Sequence, residues 1–284
     1  MSVPEDFQFS QASLQDFVTC PRRFQLRYLM ELAWPAVEVE PIEDQERRME
    51  LGLTFHHMVQ QHILGLPAER LTRMAKDEDL RRWWQNYLTY RPIASFAGPP
   101  AEVDTYPETA LVGEVAGYRL FAKYDLIVVT PDGRAVIFDW KTSSRRASED
   151  ELLNRMQTRV YRFLLVQAGQ HLNGGVAPAA DRVTMVYWFP EFPASPARLP
   201  YDLGRYEGDH AYLTRLVERI AAMEDDAFYL TDDVDRCLYC PFRSYCDRGV
   251  KPGDLDEVTA TWEAEADDLG DLELDFEQIS EIEF

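Results

Sequence analysis

Two aspartates and a lysine fall on neighbouring β-rich segments of the chain. Asp139 and Lys141 lie two residues apart at the end of the segment that begins at Ala135, and Asp125 lies on the segment before it. Side chains two residues apart on a strand point to the same face. Carboxylates hold Mg²⁺ or Mn²⁺, and a nearby lysine can position or help deprotonate a metal-bound water. The pattern favours metal-assisted hydrolysis, and a structural ion pair is the alternative.

A turn motif joins the two segments. Thr130-Pro131-Asp132-Gly133 combines a proline, which fixes φ, with a glycine, which tolerates positive φ. Residue 125 then falls opposite 138 if the loop has four residues and opposite 139 if it has five. We predict that Asp125 and Asp139 reach one face and share a cation. Two aspartates and a lysine in an otherwise apolar hairpin are costly to explain as structural groups alone.

Helical segments on both sides of the hairpin carry further candidate site residues. Gln157 and Tyr161 lie four residues apart and therefore share a helical face, unless Tyr161 is simply a core residue. His56 follows Gly52 in an upstream helix, and a neutral histidine can ligate a metal, although a structural histidine is the commoner case. Basic residues near these segments are predicted to contact a DNA backbone; they are Arg22, Arg23, Arg155 and Arg159.

The four cysteines are split into one plus three. Cys237, Cys240 and Cys246 have the spacing C-x2-C-x5-C, and Cys20 lies 217 residues before the first of them. Four thiolates suit a structural Zn²⁺ or an iron–sulfur cluster, but a zinc ribbon usually has two close pairs. Unligated thiols are the third alternative.

Charge is distributed unevenly along the chain. The net charge is −21, but residues 252–284 contain 13 acidic residues and no Lys or Arg, so residues 1–251 carry only −8. The net charge of the whole chain would argue against nucleic-acid binding, but the small net charge of residues 1–251 does not. The hydrophobic content of 46% excludes wholesale disorder, and no apolar run has the roughly 18 residues of a membrane helix. An acidic N-terminus unlike a secretory signal completes the expectation of a soluble cytoplasmic protein.

The acidic tail, residues 252–284, is expected to be flexible. It mixes its acids with apolar residues such as Trp262 and Phe276. The alternatives are a solubilising segment, a binding segment for a protein partner, and a DNA mimic that lies over a basic channel and inhibits DNA binding. Unchanged DNA affinity at low salt after deletion of residues 253–284 would exclude the inhibitory role.

Hydrophobic periodicity separates helical from β-rich regions. It predicts a helical N-terminal segment over 8–32 and helices over about 45–64, 69–90, 149–168 and 207–223. It predicts strands within 108–129, over 135–141 and over 182–189. Residues 33–44 and 91–107 are expected to be connections.

In order and spacing, these motifs resemble the PD-(D/E)XK nuclease superfamily, in its RecB-like branch. The matching residues are Cys20-Pro21-Arg22-Arg23-Phe24, Gly52 and His56, Asp125, Asp139 and Lys141, and Gln157 and Tyr161. The upstream glutamate of the family matches Glu108, with Glu114 as the alternative. The resemblance spans about residues 10–250.

The resemblance implies an α/β fold in which helices flank a mixed central β-sheet, as in restriction endonucleases. It places a nuclease domain at 1–251, before the acidic tail at 252–284. Within that domain it implies an N-terminal helical region, a helical insertion at about 45–90, a catalytic core at about 105–190, and a Cys-bearing module at about 235–249 that closes with Cys20.

It also implies metal-dependent hydrolysis of DNA phosphodiester bonds, by an exonuclease acting on ends or single strands. His56, Asp125 and Asp139 would hold Mg²⁺ or Mn²⁺, while Lys141 would position the attacking water. Glu108 would orient a water or a neighbouring group, and Gln157 and Tyr161 would orient the substrate. DNA repair, recombination and CRISPR spacer acquisition are all compatible settings.

The split of the cysteines resembles cluster-bearing RecB-like nucleases, including CRISPR-associated spacer-acquisition exonucleases and the nuclease domains of AddB-type helicases. This implies that Cys20, Cys237, Cys240 and Cys246 hold a 4Fe-4S cluster, with Zn²⁺ as the alternative. Two other functions stay open. One is a catalytically silent DNA-binding or assembly subunit, and the other is a zinc-stabilised interaction protein that acts through its tail. In either the leading or the alternative functions, the acidic tail would bind the protein partner: a helicase, a recombination factor or a spacer-integration factor.

Overall fold

A six-stranded mixed sheet forms the centre of the computed structural model, which describes residues 3–32, 42–99 and 102–249. The strand order is β1-β3-β4-β5-β6, and β2 pairs with the other edge of β3. The pairs β1–β3 and β4–β5 are parallel, and the other pairs are antiparallel. The strands are β1 (Gln8–Ser10), β2 (Asp104–Val115), β3 (Tyr118–Val129), β4 (Ala135–Trp140), β5 (Val183–Trp188) and β6 (Ala197–Pro200).

Helices cover both faces of this sheet, which confirms the predicted α/β class. Before β2 lie α1 (Gln11–Thr19), α2 (Pro21–Phe24), a π-helical turn (Gln25–Leu29), α3 (Ile42–Ile63), α4 (Ala68–Thr72), α5 (Glu78–Tyr90) and α6 (Pro92–Ala97). After β4 lie α7 (Glu149–Asn154), α8 (Met156–Ala168) and α9 (Leu203–Ala221). Within the described ranges, no helix is both long and apolar enough to cross a membrane.

Short 3-10 turns complete the described chain. They are Gly169–Leu172, Ala180–Arg182, Asp225–Ala227, Val234–Tyr239 and Arg243–Cys246. The last two form the Cys-bearing module. The acidic tail lies outside the described residues.

The sheet separates two hydrophobic cores. On one face, the α8-side core packs Val160 and Phe163 of α8 with Tyr124 of β3. On the other, the α3-side core packs Phe55 of α3 with aromatic residues of α5 and with Trp188 of β5. Burial on both faces explains why β4 and β5 read as nearly continuous apolar runs.

Several element boundaries differ from the sequence predictions. The predicted helix over 149–168 is two helices, because Arg155 has extended backbone angles between α7 and α8. The short strands β1 and β6 and the helix α6 fall in segments that were predicted to be helical or irregular. β1 has three residues and β6 has four, too few for a periodic signal, and Pro200 ends an edge strand, where proline is tolerated.

Helix α3 approaches the end of β4 closely at Gly52. A Cβ atom on Gly52 would lie 2.8 Å from Oγ1 of Thr142, the residue that follows Lys141. This contact explains why the turn before His56 carries a glycine: it lets α3 bring His56 up to the sheet.

This contact generates a prediction about two helical glycines. Gly208→Ala in α9 should raise the free energy of unfolding by about 0.5–1 kcal/mol, because its Cβ meets nothing within 4 Å. Gly52→Ala should lose that gain, because Thr142 must move. Urea unfolding measures both values, and the double variant Gly52→Ala/Thr142→Ala should recover the gain. Equal stabilisation by the two single variants would contradict the close approach.

Candidate active site

The hairpin of β2 and β3 changes its side-chain phase at Asp125. Tyr124 and Ile127 both pack into the α8-side core although they are three residues apart, while Leu126 packs into the α3-side core. Regular alternation would place Tyr124 and Leu126 on one face, so the strand is irregular at Asp125. Opposite it in β2, Glu108 has a φ of 50°. Such a conformation is uncommon for a residue other than glycine, and strained residues cluster at functional sites.

The carboxylate of Asp125 takes the place of a main-chain hydrogen-bond acceptor between β3 and β4. The ladder ends at the pair Leu126–Phe138, and the N–H of Trp140 donates to Oδ2 of Asp125 at 2.8 Å. The loop between the strands has five residues, 130–134, so the same register places residue 125 opposite Asp139. Of the two predicted hairpin geometries, the five-residue loop is the one observed.

His56 contacts the same carboxylate from α3. Its Nδ1 lies 3.3 Å from Oδ1 of Asp125. Burial alone would raise the pKa of Asp125, but His56, the Trp140 N–H and Lys141 together outweigh burial and hold the pKa below its ordinary value. Asp125 therefore stays an anion, as a cation ligand must.

Asp139 and Lys141, the two residues that flank Trp140 in the sequence, form a buried ion pair. Oδ1 of Asp139 lies 3.1 Å from Nζ of Lys141, and Nε2 of Gln157 donates to Oδ2 of Asp139 at 2.7 Å. The exposures of Asp139, Lys141 and Gln157 are 2%, 3% and 1%. A buried pair of this kind is tolerated only when further hydrogen bonds satisfy the charged atoms, which is what Gln157 does for Asp139.

Tyr187 of β5 supports this pair through Gln157, and no sequence pattern indicated this role. Its hydroxyl donates to Oε1 of Gln157 at 3.4 Å and lies 2.7 Å from Oγ1 of Thr158. Nζ of Lys141 lies 6.0 Å from the centre of its ring. Burial raises the pKa of Tyr187, so that its phenol remains protonated and can act as a donor.

His56 contacts Asp125 directly, whereas Asp125 and Asp139 are connected through Trp140. Asp125 holds the N–H of Trp140, and Asp139 is the residue directly before Trp140. In residues 3–32, 42–99 and 102–249, no three His, Cys, Asp or Glu side chains converge closely enough to hold an ion as they stand. Two carboxylates and an imidazole are nevertheless suitable donors for Mn²⁺, and carboxylates suit Mg²⁺. The shared cation therefore stays a prediction, with donors of the right chemistry.

Of the two candidate glutamates, Glu108 is the one beside the site. It occupies the position opposite Asp125, and its Oε2 lies 2.5 Å from Nζ of Lys123. Glu114 is exposed and pairs in register with Arg119, at the far end of the hairpin.

Tyr161, which was predicted to orient the substrate, is buried in the protein core. It is 3% exposed in the α8-side core, with its ring 4.6 Å from that of Tyr124, whose hydroxyl donates to the carbonyl oxygen of Tyr161 at 2.9 Å. Gln157, one turn earlier, does reach Asp139. Contact between Tyr161 and substrate stays a prediction.

The predicted DNA-binding arginines make contacts within the chain. Nη1 of Arg159 lies 2.7 Å from Oδ1 of Asp209, Nε of Arg23 lies 2.8 Å from Oδ1 of Asp16, and Arg22 donates to Gln25. Arg155 is the residue at which α7 gives way to α8. Their contact with DNA stays a prediction.

Asp209 of α9 is a positioning residue that local sequence patterns did not reveal. It is 4% exposed, accepts a hydrogen bond from Tyr201 at 2.9 Å, and pairs with Arg159 of α8. Because Asp209 lies 50 residues from Arg159, only the fold brings them together. The pair fixes α8, and with it Gln157, against α9.

The four cysteines line a single cavity. Cys20 reaches it from the junction of α1 and α2, and Cys237, Cys240 and Cys246 reach it from the Cys-bearing module. None of the four is in a disulfide. Burial raises the pKa of Cys240 to about 11 and also raises the pKa values of Cys237 and Cys246. The four cysteines therefore lie around one cavity, and their closure on a shared metal centre stays a prediction.

Four thiols are donors that suit either Zn²⁺ or an iron–sulfur cluster, and which of the two they hold stays a prediction. The thiols do not converge on one point closely enough to hold an ion, in the part of the chain that is described. In a 4Fe-4S cluster each cysteine binds a different iron, so that four thiols around a cavity need not converge.

The bond to Trp140 makes a structural role of Asp125 testable. Asp125→Ala should lower the free energy of unfolding by about 1–3 kcal/mol, because the Trp140 N–H loses its acceptor. Asp125→Asn should cost less, since an amide oxygen can still accept. Glu114→Ala, which removes an exposed carboxylate from the same hairpin, should change stability by less than about 0.5 kcal/mol. Equal losses for the alanine and asparagine variants, measured by urea unfolding, would contradict this role.

Comparison with one solved structure agrees with the fold. A presumed exonuclease from Eubacterium rectale is similar, with 10% identity, a TM-score of 0.52, and coverage of 90% of this chain and 94% of that one. The crystal structure of SSO0001 is also matched, with 15% identity, a TM-score of 0.40, and coverage of 86% and 87%. No curated protein matches this chain.

Comparison with protein families is more specific. The family model of the PD-(D/E)XK nuclease superfamily matches residues 8–247, a range that includes all four cysteines and every candidate catalytic residue described above. The match covers most of the chain. The chain therefore belongs to the PD-(D/E)XK nuclease superfamily.

Proposed function

We propose that this nuclease is a metal-dependent DNA exonuclease that acts on DNA ends or single strands. The observation that carries the proposal is the arrangement of three consecutive residues of the chain. The N–H of Trp140 is held by Asp125, and its two neighbours, Asp139 and Lys141, form the buried ion pair. That arrangement presents two carboxylates and an ammonium group at one strand end.

The proposed reaction is hydrolysis of a phosphodiester bond. Water oxygen attacks phosphorus, the bond from phosphorus to the leaving sugar oxygen breaks, and that oxygen takes up a proton. Mg²⁺ or Mn²⁺, held by His56, Asp125 and Asp139, would supply Lewis-acid stabilisation of the phosphate and acidify a water. Family membership supports this choice of cation, and the donor chemistry of the three residues is consistent with it.

The other residues of the site would act on water and substrate. The Lys141 ammonium, held against Asp139, would orient the attacking water and stabilise the negative charge that develops on the phosphate oxygens. Gln157 would fix the orientation of the Asp139 carboxylate, supported by the Tyr187 hydroxyl. Glu108 would orient a water or the ammonium group of Lys123, with which it pairs.

Two other functions are less well supported. A silent DNA-binding or assembly subunit would not need the lysine, the two aspartates and the glutamine. All four are present, Lys141 and Gln157 both contact Asp139, and Asp125 accepts a hydrogen bond from the Trp140 N–H. A zinc-stabilised interaction protein would contain zinc and no iron. We also propose that the acidic tail binds a protein partner. That segment lies outside the described residues.

Cleavage of end-labelled DNA tests the nuclease proposal. Protein purified without oxygen should degrade linear but not covalently closed circular DNA, and only with Mg²⁺ or Mn²⁺. Lys141→Ala should lower the rate by about 100-fold or more, because a donor to the developing charge is lost. Arg134→Ala, which removes an exposed ion pair in the β3–β4 loop, is the matched control and should cleave normally.

Three outcomes would revise the proposal. Cleavage of closed circles would indicate an endonuclease. Full activity of a folded Lys141→Ala variant would exclude the proposed role of the lysine. No cleavage of any substrate, with the metal centre intact, would favour the silent subunit.

We further propose that the four cysteines hold a structural 4Fe-4S cluster that ties the first helices to the Cys-bearing module. Residues of both parts line one cavity, and the N–H of Arg22 donates to the carbonyl of Tyr229, shortly before the module, at 3.1 Å. Cys20→Ala should lower both iron content and melting temperature, because it removes the only ligand on the first helices. Val18→Ala, at an exposed position of α1, is the control. A Cys20→Ala variant with a full iron load and wild-type melting would refute the cluster's linking role.

A further inference from the structure

The outer part of the β2–β3 hairpin exposes one of its faces to solvent. The even-numbered residues of β3 over 120–124 pack into the α8-side core, so alternation turns Arg119, Phe121 and Lys123 to the opposite face. We call these three residues the β3 row. Arg119 is exposed, and Phe121 and Lys123 are partly exposed. Val112 of β2, which lies directly opposite Phe121, is 49% exposed.

The β3 row ends at the candidate active site. Asp125 continues the alternation of the row, and His56 of α3 contacts the Asp125 carboxylate on this side of the sheet. Nζ of Lys123 pairs with Glu108, the residue opposite Asp125. Since a strand rises about 3.4 Å per residue, Arg119 lies roughly 20 Å from Asp125 along β3. The row is therefore long enough to contact several nucleotides of a strand that leads to the site.

The β3 row also reaches the accessible part of the site. The side chains of Asp125 and Lys123 are 15% and 30% exposed, whereas those of Asp139 and Lys141 are 3% and 4% exposed. A substrate that arrives from solvent on this face therefore meets Asp125 before it meets the buried ion pair.

An aromatic ring between two cations is suited to single-stranded DNA. The bases of a single strand stack on aromatic rings, and Lys or Arg side chains neutralise its phosphates. In a duplex the faces of the bases are already stacked, except at the ends. Within the described part of the chain, the Phe121 ring stacks on no other aromatic ring, and the Arg119 guanidinium has no hydrogen-bond or ion-pair partner. Both groups are therefore available to a ligand.

We infer that the β3 row binds the single strand of DNA that leads to the site. Phe121 stacks on a base, while Arg119 and Lys123 contact phosphates on either side of it. The inference rests on the proposed function. It deepens that proposal by naming single-stranded DNA as the bound form and by assigning a surface that guides the strand to Asp125. None of the three residues belongs to the arginines that the sequence predicted to contact DNA.

The stacking is tested by fluorescence anisotropy with the full chain and a labelled oligothymidylate, without added divalent cation so that the DNA stays intact. Phe121→Ala should weaken binding about fivefold or more, because a stacked base loses its ring. Phe121→Leu, which keeps an apolar side chain if the alanine variant folds poorly, should weaken binding as well, and Phe121→Trp should bind like wild type. Blunt duplex and an abasic oligonucleotide offer no base to stack, so all Phe121 variants should bind them like wild type.

The phosphate contact is tested by the salt dependence of the same binding. Arg119→Gln should reduce the slope of log K against log salt concentration by about 0.7, the value for one phosphate contact on a single strand. Glu114 pairs in register with Arg119, so Glu114→Gln should tighten binding by removing a negative charge beside the row. Arg134→Gln, in the β3–β4 loop, removes an exposed arginine elsewhere and should change neither affinity nor slope.

The outcomes separate this inference from the proposal beneath it. Wild-type affinity and salt slope in the Phe121→Leu and Arg119→Gln proteins would overturn the β3 row, even if the wild-type protein cleaves DNA. An equal loss of affinity for the abasic and the normal oligonucleotide in the Phe121 variants would overturn stacking. Absence of cleavage by wild type, together with the expected losses of single-strand binding in the variants, would overturn the nuclease and support the row.

Discussion

The hydrogen bond from the Trp140 N–H to the Asp125 carboxylate is the interaction on which the arrangement of the site depends. In a regular ladder a main-chain carbonyl would accept this bond, and both aspartates would follow the alternation of their strands. Here a side chain accepts it, at the residue where β3 changes phase and opposite a glutamate in a left-handed conformation. Local irregularity of the sheet thereby holds one carboxylate at a fixed place beside the end of β4.

The surrounding elements keep this irregular point in position. Helix α3 comes close enough for His56 to contact Asp125 because Gly52 has no side chain to meet Thr142. Helix α8 supplies Gln157 to Asp139, and α8 is in turn held by the ion pair between Arg159 and Asp209 of α9. Two separate cores, one on each face of the sheet, supply the burial that makes these polar contacts rigid.

The hairpin that carries the candidate site could be predicted from the sequence, because its cues are local. Proline and glycine marked the turn, and spacing placed Asp139, Lys141 and Gln157 in an order typical of the superfamily. The contributions of Tyr187 and Asp209 could not be predicted, since each contacts α8 only through the tertiary fold. The change of side-chain phase at Asp125 could not be predicted either. The pairs on both sides of Asp125 keep the same register, so no inserted residue marks the irregularity, and apolar residues occur on both faces of β3. The gathering of Cys20 with the distant trio was expected from the family resemblance.

Mn²⁺ binding measured by electron paramagnetic resonance tests most directly the claim that Asp125 and Asp139 share a cation. Wild-type protein with its cysteine centre loaded would be compared with Asp125→Asn and Asp139→Asn, and with Glu114→Gln as a control for surface charge. The account predicts that each aspartate variant binds Mn²⁺ about tenfold more weakly or worse, and that the control binds like wild type. Unchanged Mn²⁺ affinity in both folded aspartate variants would contradict it.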